Sequence, residues 1–283
     1  ERAMTEWVVN KKEVYGIDFS GAKDAGRHIW ISKGIASPGR LIIKSCFPAS
    51  ALPSSGISLD KCLPALRQLV TSEKSAIFGF DFPFGLPAEL VRHGSWKDFI
   101  LAFSRTYKDS GHFRNTCLAA TGNKELKRGT DIFNRAPLSP YNLRLYRQTY
   151  YGITQIIAPL VADDKARFIP MQKPVTGKPW VLEICPASTL KAMRLYAPYK
   201  GPDRSNEART RRRQQILKGI LANGQQRLDN SLITAGVLEN PSGDALDSVI
   251  ACFATFCALK KGIDISTVSR VAQIEGTIFG AFE

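Results

Sequence analysis

Three short apolar runs in this chain each carry an acid just ahead of a chain breaker, and no other feature constrains the fold as tightly. Val14 to Ser20 (VYGIDFS) holds Asp18 before Ser20-Gly21, Ala76 to Phe82 (AIFGFDF) holds Asp81 before Pro83, and Trp180 to Cys185 (WVLEIC) holds Glu183 before Pro186. Runs this short and this apolar read as strands buried on both faces, within a sheet covered by helices on either side. A carboxylate among Ile, Phe and Val is costly unless it is neutralised, paired or bound to a metal. In open α/β sheets, ligands bind beyond the carboxyl ends of the strands. The three acids are therefore candidates for one site.

Around these runs the chain reads as α/β. After the first run, His28 to Ile35 and Leu41 to Phe47 continue an antiparallel meander, with turns near Lys23 to Gly26 and Ser37 to Gly39. Leu59 to Val70 has the spacing of one helix face, so Ala76 to Phe82 should return parallel to the first strand in a βββαβ opening. From Ala88 to about Lys178 the period turns helical, with segments Leu90 to Tyr107 and Tyr141 to Val161. After the third acid-bearing run, Ser188 to Leu195, Asn206 to Leu221 and Gly243 to Lys261 read as helices, and Thr277 to Phe282 as strand-like. The expected organisation is a core of 1–87 and 179–283, interrupted by a helical insertion, 88–178, serving as a lid or specificity element.

A fourth acidic element follows Ser242, the expected N-cap. Asp244 and Asp247 stand three apart on one helix face. Asp247 shares its side with Ala251, Ala254 and Ala258, a small-residue face that would let the helix approach the sheet and bring Asp247 toward the other acids. For Asp244, stabilisation by the helix macrodipole alone is an adequate competing explanation.

Composition narrows the chemistry. The 283 residues include 39 Lys plus Arg against 25 Asp plus Glu, a net charge of +14 that suggests a polyanionic partner. Only three histidines and six cysteines are present, with no Cys-x-x-Cys pair, so a zinc cage is not expected and reduced thiols in a cytoplasmic protein are. The longest largely apolar stretch, Val249 to Leu259, is 11 residues and includes Thr255, short of the ~18–20 a membrane-spanning helix needs. No membrane association or export is expected.

The runs Gly16-Ile-Asp-Phe-Ser-Gly-Ala22, Phe80-Asp-Phe-Pro-Phe-Gly-Leu-Pro87, Glu183-Ile-Cys-Pro186, Asp244-Ala-Leu-Asp247 and Ile274-Glu-Gly-Thr-Ile-Phe279 resemble the family called domain of unknown function 429, described as predicted nucleases of the ribonuclease H-like fold. The Asp-x-Pro-x-Gly-Leu-Pro element is the most specific of them, and the insertion lies outside these motifs. The Asp-x-x-Asp pair also resembles the last acidic motif of RuvC-type Holliday-junction resolvases. The resemblance implies a ribonuclease H-like, five-stranded mixed sheet flanked by helices, with the insertion between strands four and five. Asp18 would then lie on the first strand, Asp81 on the adjacent fourth, Glu183 on the fifth and Asp247 on the following helix.

The chemistry such acids support is two-metal hydrolysis of nucleic acid, DNA or RNA, with Mg²⁺ or Mn²⁺ ions ~3.5–4 Å apart. Asp18 would bridge both ions, Asp81 and Asp247 would each hold one, Glu183 would be a further ligand or water-positioning base, and Asp244 an outer partner. All-oxygen donors and few histidines suit magnesium better than zinc. Phosphates would be held by Lys23, Lys124, Lys127, Arg128, Arg135, Arg144 and Arg147, beside Tyr146, Tyr150 and Tyr151, with Arg209, Arg211, Arg212 and Arg213 as a second cationic cluster. Two alternatives stand beside this reading. Gly16-Ile-Asp-Phe-Ser-Gly also resembles the first phosphate loop of actin-like and sugar-kinase ATPases, although no second glycine-rich loop is present. A non-catalytic nucleic-acid-binding protein on the same scaffold is the other. Oligomeric state is open.

Overall fold

The computed structural model describes residues 13–201, 206–222, 224, 226–266 and 268–280. Among them a mixed sheet runs through the centre, flanked by helices on both faces. Its strands are β1 (Glu13–Asp18), β2 (Trp30–Ser37), β3 (Arg40–Pro48), β4 (Ile77–Asp81), β5 (Arg167–Ile169), β6 (Trp180–Ile184), β7 (Gln226–Leu228) and β8 (Ile278–Phe279). Their order is β5-β6-β4-β1-β2-β3-β7, with β8 also paired to β6. The meander is antiparallel, while β1–β4, β4–β6, β5–β6, β3–β7 and β6–β8 are parallel. Eight strands thus stand where five were expected. The widening comes from β5 and β7 at the two edges and from β8 beside the end of β6.

Period-two alternation sorts the central strands onto two cores. Tyr15, Ile17, Phe78, Phe80 and Val181 face one layer, built from the Leu59–Ser72 helix and from residues 96–168, including Phe99, Phe103, Phe113 and Ile156. Val14, Ile77, Trp180, Leu182 and Ile184 face the other, beneath the Asp244–Lys261 helix. Segment 88–178 therefore completes the hydrophobic layer on one face of the sheet and also contributes β5. Aromatic rings fill this layer: Tyr15 stacks on Phe78 with centroids 4.6 Å apart, and Phe80, Phe82 and Phe84 follow edge to face or tilted.

Helix Asp244–Lys261 lies very close to the sheet, and the residues responsible differ from the alanine face expected. A Cβ added at Gly16 would come 2.1 Å from the Cys252 nitrogen and 2.2 Å from the Ser248 oxygen, and one at Gly79 would come 1.9 Å from Thr255 Oγ1. The contact is made by Ser248, Cys252 and Thr255 against strand glycines. The helix starts at Gly243, with φ +82°, in place of Ser242, whose hydroxyl donates to Asn240 Oδ1 at 3.0 Å. No helix among the described residues is long and apolar enough to cross a membrane. Gly16→Ala should cost about 3 kcal/mol through forced separation of helix and sheet, to be read as a lowered urea midpoint at unchanged slope; an unchanged midpoint would contradict this packing.

Candidate active site

Asp18 and Asp81 end adjacent parallel strands and are direct register partners, which places their side chains on the same face of the sheet, the one covered by the Asp244–Lys261 helix. Asp247, in the first turn of that helix, completes the group. The three acids line one cavity of about 520 Å³ at the carboxyl edge of the sheet, together with Pro83, Leu138, Arg144, Gln148, Tyr196 and Lys200. Asp18 is 6% exposed and Asp247 1%.

Their hydrogen bonding is unequal. Among the described residues, none donates a hydrogen bond to the carboxylate of Asp18 or Asp81. Asp247 has two partners: Tyr199 Oη donates to its Oδ1, and Lys200 Nζ pairs with its Oδ2. Burial pushes Asp18 far above the usual carboxylate range, with Lys200 opposing and the charges of Asp247, Asp244 and Asp81 adding. Burial, then the charge of Asp247, pushes Asp81 up to about 8. Asp247 is raised by burial, against the pull of Lys200 and Tyr199. For Lys200, burial opposes the charge, but the carboxylates of Asp247 and Asp18 outweigh it and hold the ammonium charged. Cys185 also lines the cavity, but burial and the Asp81 charge push its thiol up to about 12, too high for a thiolate nucleophile at neutral pH.

Glu183 departs from the expected arrangement. It is in register with Phe80 and not with Asp81, so it leaves the sheet on the opposite face. There Arg128, 1% exposed, holds both of its oxygens, with Nη1 donating to Oε2 at 2.8 Å and Nη2 to Oε1. Arg128 Nη2 also donates to Asp131 Oδ1 at 2.7 Å, and Nη1 to the Glu275 backbone oxygen at 2.9 Å. Glu183 Oε2 further accepts from the Phe84 amide at 2.9 Å. Glu183, expected as a metal ligand, and Arg128, expected as a phosphate contact, are thus paired with each other; both, with Asp131, also line the cavity shared by Asp18, Asp81 and Asp247. Glu275, in the last of the family-like motifs, joins them: its carboxylate accepts from the amides of Ala88 at 2.7 Å and Gly129 at 2.8 Å.

The remaining predicted residues are spread more widely. Arg144 reaches the cavity. Lys23, Lys124 and Lys127 are exposed and lie outside its lining, and Lys127 Nζ donates to the Ala136 oxygen at 2.8 Å. Arg147 Nε donates to the Gly21 oxygen at 2.9 Å and its guanidinium lies over Tyr151, so it clamps the loop after β1. Tyr150 is buried, its hydroxyl donating to Tyr107 O at 3.2 Å, and is unavailable for base stacking. Asp244 stands beside the site, 3.4 Å from His28 Nδ1. In the second cationic cluster Arg213 is 1% exposed and donates to Leu238 O at 2.7 Å and Tyr199 O at 3.0 Å. Sequence reasoning missed Tyr199, Lys200, Asp131 and Gln148.

In the geometry described, no group of three or more His, Cys, Asp or Glu among the described residues is disposed to hold a metal ion. The donor chemistry nevertheless fits a hard divalent cation. Asp18, buried, and Asp81, half-buried, offer oxygens alone, accept no hydrogen bond from any described residue, and open onto a cavity; magnesium is commonly held by one or two carboxylates, with water and phosphate filling the rest of its shell.

No family model matches the chain, and no curated protein does. Among solved structures, the chain is similar to the crystal structure of the yeast mitochondrial Holliday junction resolvase Ydc2, at a TM-score of 0.41 and 12% identity, covering 92% of this chain and 89% of that chain.

Two outcomes follow from the electrostatics. Arg128→Met strands Glu183 and Asp131 as buried charges and should cost about 3–5 kcal/mol in chemical denaturation; a cost below about 1 kcal/mol would contradict the pairing. Asp81 binds its proton more tightly folded than unfolded, so in metal-free protein its contribution is full below the ordinary carboxylate range and is lost as pH rises toward about 8. Asp81→Asn should flatten that decline in melting temperature, and an unchanged slope would contradict the assignment.

Proposed function

We propose that this chain is a divalent-metal-dependent phosphodiester hydrolase acting on nucleic acid, built on a ribonuclease H-like sheet widened by additional strands. The observation that carries the reading is the pair Asp18 and Asp81: register partners on adjacent strands, the first buried and the second half-buried, accepting no hydrogen bond from any described residue and facing a cavity. Such a pair is costly alone and is resolved by a cation. The strand order β3-β2-β1-β4-β6 and the acid-bearing motifs agree with the family resemblance. The excess of basic residues suits a polyanionic substrate.

Bound Mg²⁺ or Mn²⁺ would polarise the scissile phosphate and lower the pKa of a water ligand. Asp18 and Asp81 would hold that ion. Tyr199 and Lys200 orient Asp247 at the same edge of the sheet. Arg144 on the cavity wall would face a phosphate oxygen, and Tyr196, 53% exposed with Lys191 Nζ 4.9 Å from its ring centroid, would offer a stacking surface at the rim. Segment 88–178 lines the cavity through Pro137, Leu138 and Arg144, the position of a specificity element.

The phosphate-loop alternative is disfavoured by packing. A Cβ on Gly21 would come 2.5 Å from the Arg147 carbonyl carbon, and Gln148 Nε2 donates to the Phe19 oxygen, so the loop after β1 is already covered by protein.

Incubation with labelled single-stranded, duplex and branched DNA and RNA should give cleavage that requires Mg²⁺ or Mn²⁺. Asp18→Asn should lower it on the order of 100-fold or more, because the several kcal/mol supplied by the ion is lost. Cleavage that persists in chelator, or an Asp18→Asn variant as active as wild type, would overturn the proposal.

A further inference from the structure

Asp247 already has a cation. Both of its oxygens are engaged, one by the Tyr199 hydroxyl and one by the Lys200 ammonium, whereas Asp18 and Asp81 accept no hydrogen bond from any described residue. The ammonium also acts electrostatically on Asp18 and Asp81, so one lysine serves all three acids.

The lysine is held in place from several sides. Its side chain is 48% exposed, and its ammonium meets a carboxylate that is 2% exposed. The backbone around it is fixed at three points: Arg213 Nη1 donates to Tyr199 O at 3.0 Å, Arg209 Nη1 donates to Lys200 O, and the Gly201 amide donates to Pro241 O at 3.3 Å. Arg213 is itself buried. On the facing side, Gly243 leaves room for the pair, since a Cβ there would come 2.9 Å from Lys200 Cγ and 3.1 Å from Tyr199 Cε2. A freely swinging surface lysine has none of these restraints.

We propose that Lys200 is a resident second cation, so that the site takes one divalent ion, on Asp18 and Asp81, in place of the two that three acids alone would suggest. This rests on the metal-dependent reading above and refines it. Charge balance favours it: three carboxylates are neutralised by one divalent ion plus Lys200, while two divalent ions beside Lys200 would leave the site doubly positive. A second ion at Asp247 would have to expel an ammonium anchored through its own backbone. With Asp247 and one divalent ion in place, Lys200 presents its remaining N–H donors to a phosphate oxygen entering the cavity it lines.

The test is Mn²⁺ stoichiometry, read by calorimetry and by electron paramagnetic resonance, on wild type, Lys200→Arg, Lys200→Ala and Lys200→Met. The methionine keeps an apolar stem against Tyr199 should alanine fail to fold. Wild type and Lys200→Arg should bind one Mn²⁺. Lys200→Ala and Lys200→Met should bind two, with the spin coupling expected of ions ~3.5–4 Å apart. Two ions in wild type, or one ion at unchanged affinity in every variant, would overturn this inference and leave the metal-dependent reading standing. No Mn²⁺ bound by any variant would overturn both.

Discussion

Desolvation of carboxyl groups at the ends of adjacent strands, with repulsion among the acids adding to it, is the constraint around which this site is organised. Parallel pairing places neighbouring strands ~4.8 Å apart, so the register that aligns Asp18 with Asp81 brings like charges together at the edge of an apolar sheet. Packing of the Asp244–Lys261 helix onto Gly16 and Gly79 then adds Asp247. The glycines that permit this close approach thus also create the electrostatic problem that a cation relieves. Lys200 meets part of it, and on the proposed reading a divalent ion would meet the rest.

The opposite face of the sheet handles a buried acid differently. Glu183 is met by Arg128, a residue of segment 88–178, and the pair is extended by Asp131, the Phe84 amide and the Glu275 carbonyl. This network fixes the Asp81-Phe-Pro-Phe turn from below and joins the segment to the last helical turn before β8. It is a positioning device: by anchoring Phe84 it sets where β4 ends and so where Asp81 points. One acid-bearing strand therefore serves architecture while its neighbours serve the site.

The sequence revealed the acids without revealing their faces. Short apolar runs closed by breakers located β1, β4 and β6 to within a residue or two, and the helix carrying Asp247 was evident from its period. The pairing of Glu183 with Arg128 was not legible, because a one-residue offset in register turns a side chain to the other side of a sheet, and Phe80, not Asp81, is its partner. β5 and β7 were missed because three residues are too few for a pattern. Arg128 reads as one cation in a basic run; Asp131, three positions on, was the available hint of a local pair. Lys200 comes from an irregular stretch after the Pro186–Ala192 helix, where no periodicity marks a residue as inward-facing.

The most direct test of the central claim is the anomalous scattering of manganese in crystals grown with Mn²⁺. The account predicts density between the Asp18 and Asp81 carboxylates, with Lys200 still on Asp247 and no manganese at Glu183. Manganese absent from the Asp18–Asp81 pair, or bound instead at Glu183 with Arg128 displaced, would contradict it.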